Sequence, residues 1–136
     1  MRATATLIRF IVKDELFDNK INVIIGPIED YRKFVKRKWK DTDTTKPTEN
    51  TGAAFVEYYC KNYILWFNGI PKPSVFVHET FHATITILSN LGIPCTAENS
   101  EVGAYYVSWL LDQIQIKLSK IITKMEKHKK NNAVVA

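Results

Sequence analysis

A chain of 136 residues with 46% hydrophobic and 12% aromatic residues is sized and composed for one globular domain with a modest core. No apolar run approaches bilayer length, and Met1 to Leu7 lacks the build of a secretion signal, so neither a membrane span nor export by its own leader is expected. The formal charge is +5 at pH 7, and the excess sits in two runs, residues 32–40 and 124–130. Such runs are either solvated helix faces or contacts for nucleic acid and acidic surfaces. The two cysteines, Cys60 and Cys95, show no CxxC spacing, which suits reduced thiols in a cytoplasm.

Taken in order, residues 1–13 alternate weakly through Leu7, Ile8, Phe10, Ile11 and Val12, as a strand or a docking arm. Residues 14–20 are turn-rich. The β-branched run 21–25 predicts a strand, closed by Gly26-Pro27. Residues 27–40 predict an amphipathic helix: Tyr31, Phe34, Val35 and Trp39 form its apolar stripe, and Glu29 and Asp30 sit in the first turn, where the helix dipole favours them. The stripe favours a solvated role for the intervening lysines, so a nucleic-acid partner is not expected. Residues 41–52 are polar with Pro and Gly punctuation, a mobile loop. Residues 53–60 and 63–67 predict two strands of a hairpin turning at Lys61-Asn62. A helix should begin near Ser74 as N-cap and stop at Gly92, with most of its surface buried. A last helix is expected from about residue 100 to about 128, leaving 131–136 frayed beyond a single domain of residues 1–130.

The first of those late helices carries His78-Glu79-Thr80-Phe81-His82, an H-E-x-x-H sequence. On a helix, histidines at i and i+4 share a face and can hold one metal ion. Zinc takes neutral imidazole nitrogen, and Glu79 would stand beside a metal-activated water that needs a base. Zinc also needs a third protein ligand. Glu101 opens the last helix with eighteen residues between it and His82; Glu98 is the rival. Tyr105, one turn after Glu101, would either orient the ligand carboxylate or an oxyanion, or simply pack as an aromatic against the histidine helix. Ser108 shares that face. Thr80 and Thr84 fall off the metal face, Cys95 suits a structural thiol, and His128 suits the surface.

H-E-x-x-H followed by Glu101 on a second helix resembles the gluzincin class of zinc peptidases. The opening Glu101-Val102-Gly103-Ala104-Tyr105 is similar to small metallopeptidase-type proteins encoded by tailed phages and to the ImmA/IrrE repressor-cleaving peptidases. The likeness covers roughly residues 20–118. It implies an α+β, minimal zincin-like fold: a small mixed sheet of about three to four strands packed on the H-E-x-x-H helix, a long Glu-bearing C-terminal helix and one N-terminal amphipathic helix. It further implies His78, His82 and Glu101 as zinc ligands and Glu79 as general base. In zincins the strand nearest the metal runs antiparallel to the bound peptide. By that likeness residues 63–67 would be the substrate-facing edge, unless they form a plain core strand.

Two functions follow. One is zinc-dependent peptide hydrolysis. The other is an inert structural or interaction protein of a phage particle or complex, with zinc stapling the helices. In either case the apolar stripe of the last helix, running past residue 118, suits a partner protein or a second copy.

Overall fold

The computed structural model describes residues 7–39, 52–57 and 61–135. The protein is α+β, with a four-stranded mixed sheet and three helices. Strands β1 (Ile8–Asp14) and β2 (Asn19–Ile25) form an antiparallel hairpin. Helix α1 (Ile28–Trp39) follows, then β3 (Ala53–Glu57) and β4 (Asn62–Phe67), and the order across the sheet is β1-β2-β4-β3. β2 and β4 are parallel, while β3 is antiparallel to β4. Helices α2 (Pro73–Asn90) and α3 (Ser100–Val135) complete the chain. No helix among the described residues is long and apolar enough to cross a membrane.

The period-2 alternation of the strands divides the core into two layers. Ile8, Val12, Ile21, Val23, Ile25, Tyr63, Leu65 and Phe67 face α2 and α3, meeting Phe76, Ala83, Ile87, Leu110 and Ile114. Ile24, Ile64 and Trp66 point the other way, onto Ile28, Tyr31 and Val35 of α1. The two central strands are therefore apolar on both faces, as covered parallel strands must be. Trp66 places its indole N–H on the Gly26 carbonyl at 3.0 Å, so the large side chain leaves no buried donor unsatisfied. On the α2/α3 side, Asp14 ties the β1–β2 turn to α3. Its carboxylate accepts from the Leu16 and Phe17 amides, from Asn19 Nδ2 and, at 3.0 Å, from the Tyr106 hydroxyl.

Several boundaries differ from the sequence expectation. α2 starts two residues earlier: Lys72 is the N-cap, with no side-chain cap bond, and Pro73 occupies the first turn, so Ser74 is already helical. Its end is the expected glycine stop. Gly92 (φ +79°) lets the Gly92 amide reach Ser89 O at 3.0 Å and the Ile93 amide reach Leu88 O at 2.9 Å, which satisfies two terminal carbonyls. The burial of α2 is narrower than its composition suggests: Val77 and Phe81 are 47% and 51% exposed. α3 is helical to Val135, beyond the expected end near 128, so the frayed tail is not seen through residue 135. The expected loop at 41–52, as far as residue 51, and the end of the expected strand at 58–60, including Cys60, lie outside the described residues, as do residues 1–6, 40 and 136.

Candidate metal centre

α2 is a helix with one wet side and one dry side. Phe76, Thr80, Ala83, Thr84, Ile87 and Leu88 are buried. The two threonine hydroxyls inside this stripe donate to carbonyls one turn back, Thr80 to Phe76 O at 2.7 Å and Thr84 to Thr80 O at 2.9 Å. At 3.6 residues per turn, His78 and His82 fall on the opposite side of the cylinder, and both are exposed. Their rings stand one above the other, with centroids 4.7 Å apart and planes at 76°. The two Nε2 atoms are 3.1 Å apart. Two nitrogens on one tetrahedral zinc, each at about 2.0–2.1 Å, stand about 3.3 Å apart. The imidazole pair therefore fits a shared cation. Without one, a single proton between the two nitrogens makes the same contact.

Glu79 is half-buried. With His78 it lines a cleft of about 630 Å³ whose other walls are Gly52, Ala53, Phe67 and the Gly69–Lys72 approach to the helix. Ala53 begins β3, the outer strand, and among the described residues β3 pairs only with β4. The expectation that residues 63–67 form the exposed edge is overturned: β4 is bonded to β2 on one side and β3 on the other, so its backbone groups are spent inside the sheet. A strand's edge status depends on the pairing order, which the apolar run Tyr63–Phe67 does not encode. The edge beside the histidine helix is β3. Asn90 fixes the far end of α2 over it, donating to Glu57 Oε1 at 2.8 Å and to the Tyr63 hydroxyl at 3.0 Å.

The remaining site residues lie elsewhere. Glu101 is exposed in the first turn of α3. It precedes buried Leu110 by nine residues, about two and a half turns, which puts it on the solvent side of its own helix. The first turns of α3 also meet α2 at Leu88, which shares a cavity with Val102, Tyr105, Tyr106 and Trp109. Leu88 lies six residues past His82, or about 9 Å along the helix axis. Among the described residues no group of three His, Cys, Asp or Glu side chains is assembled for a metal ion, so Glu101 is not gathered with the histidine pair. Tyr105 is 73% exposed beside Glu101 and does not pack against the histidines' side of α2. Glu98 and Cys95 are exposed in the connection between α2 and α3. His128 is exposed, with Asn132 Nδ2 3.1 Å from its Nε2.

The structure thus pairs His78 with His82, sets Glu79 beside His78 in the cleft, and leaves Glu101 and Tyr105 apart. The sequence reading missed the β3 edge and the Gly69–Lys72 wall of the cleft. Compared with known proteins, the chain matches no family model, no curated protein and no solved structure.

Proposed function

We propose that the protein is a zinc-dependent peptidase in which His78 and His82 hold the metal and Glu79 is the general base. The observation that carries this reading is the 3.1 Å spacing of the two Nε2 atoms, with His78 and a half-buried Glu79 lining a cleft that opens on the outer strand. Zinc bound there supplies a Lewis acid that brings the pKa of water toward neutrality. Glu79 takes the proton of the attacking water and returns it to the leaving amine. The free edge of β3 offers N–H and C=O groups to an extended peptide, which would pass the mouth of the cleft at Ala53. The likeness to gluzincins implies Glu101 as the third ligand, but Glu101 stands apart from the histidine pair, on the solvent side of α3.

A second reading is favoured by one specific observation, the placement of Glu101 and Tyr105 on the outer side of α3. Here the zincin-like scaffold is inert, and the histidine pair binds metal without turnover, within a phage particle or complex.

Metal analysis of the purified protein, paired with peptide-library hydrolysis, separates the two readings. The peptidase reading expects about one zinc per chain, held through His78 and His82. Glu79→Gln should keep the zinc and lose about 10²–10⁴-fold in turnover, the usual scale for removing a general base. Zinc without hydrolysis in the wild type selects the inert reading. Wild-type protein that takes up no zinc ends both.

A further inference from the structure

The opposite face of the sheet holds a cluster that metal chemistry does not use. α1 covers β4 and the inner half of β2 but stops short of β1, leaving a groove of about 580 Å³. Its lining includes Arg9, Ile11, Asn22, Phe34 and Lys38, and none of its described lining residues is acidic. The cations are held in place rather than left to wander. The Arg9 guanidinium lies 4.7 Å over the Phe34 ring. Lys38 Nζ lies 5.5 Å from that ring's centroid and 4.8 Å from that of Trp39. Lys38 also donates to Asn22 Oδ1 at 3.0 Å, while Asn22 Nδ2 donates to Tyr63 O at 3.1 Å, so a buried amide orients the ammonium.

The arrangement works against its own electrostatics. Lys20 stands directly across from Lys13 in the β1–β2 register, a like-charge pair that costs stability. Burial, then the nearby charges of Lys20 and Arg9, hold the Lys38 ammonium below the ordinary lysine range. Cations placed together at a cost, with no carboxylate among the described residues that line the groove, suit an anion that arrives from outside. Beyond the groove, α1 carries further cations toward its C-terminal end, Lys36 and Arg37, with Glu29 and Asp30 confined to its first turn, so an extended anion would meet positive charge past the groove itself.

We propose that the groove between β1 and α1, with Arg9, Lys20 and Lys38 as its phosphate contacts, binds the backbone of a single-stranded nucleic acid. Three neutralised phosphates on a single strand give a slope of about −2.1 in log affinity against log salt, so raising salt from about 50 to about 200 mM should weaken binding about twenty-fold.

The test is fluorescence anisotropy of a labelled oligothymidylate with the full chain. Lys38→Gln and Arg9→Gln should each weaken binding and cut the salt effect to about sevenfold, the slope falling by about 0.7 for each lost contact. Lys38→Arg should restore the slope. Replacing Lys127, Lys129 and Lys130 together by glutamine, at the exposed end of α3, should leave the slope unchanged. Absence of binding at the lower salt overturns the proposal, as does equal loss in the α3 variant. Competition by inorganic tripolyphosphate as strong as by the oligonucleotide assigns the groove to small anions and overturns the nucleic-acid strand.

Discussion

The two sides of α2 are built on different terms. On one side Phe76, Ala83 and Ile87 fill the space between the sheet and α3, and even the polar residues Thr80 and Thr84 are closed onto their own backbone. Nothing there is left over for chemistry. On the other side His78 and His82 face solvent, in contact with each other, and Val77 and Phe81 are exposed along one flank. The packed side fixes where the helix lies. The open side contributes little to folding and carries the groups that can bind or react. Functional residues on a rigid, independently held element are what a metal site needs, because the imidazoles can be loaded or emptied without disturbing the core.

Three measurements would sharpen or break that division. The largest effect belongs to the packed side: Ile87→Ala empties a fully buried position and should cost about 2–5 kcal/mol in chemical denaturation, with zinc uptake by the folded fraction unchanged. The next concerns the bond between the same helical layer and the β1–β2 turn. Burial, then the charge and hydrogen bond of Asp14, push the Tyr106 hydroxyl well above its ordinary range. For a group whose folded pKa is raised, stability is intact below the unfolded pKa and is lost above it. The protein should therefore weaken as pH rises past about 10. Tyr106→Phe should cost about 1–2 kcal/mol at neutral pH and flatten that alkaline loss. The smallest effect on folding belongs to the open side. His82→Ala should change stability by less than about 0.5 kcal/mol while abolishing zinc uptake. A large destabilisation from His82→Ala in metal-free protein would show the histidine face to be structural and dissolve the contrast.

Much of the fold was legible because the relevant signals are local. The β-branched run of β2, the apolar run of β4, the stripe Tyr31–Phe34–Val35–Trp39 of α1 and the Gly92 stop each follow from a few neighbouring residues. The pairing order was not legible, since nothing in Tyr63–Phe67 says that β2 will take its second edge. The histidine pair was legible as a spacing. Which way it faces was not, because Val77, Phe81 and Ile85 made α2 look apolar all round, and only the packing chose Thr80 and Thr84 for the interior over Val77 and Phe81. The partnership of Glu101 with the histidines rested on separation along the chain. Its direction instead follows from the burial of Leu110 and Ile114, which rotates α3 so that residue 101 faces outward.

The length of α3 has a consequence of its own. Thirty-six residues span about 54 Å, twice the reach of the eighteen in α2. Its last side chain against the core is Met125, and residues 126–133 are all exposed. Amide protection should grade along this one rod, from slow hydrogen exchange around Leu110 and Ile114 to rapid opening at its far end. That end is a lever arm: a label or fused domain placed there stands clear of both the cleft and the groove, and reports on the body without touching it.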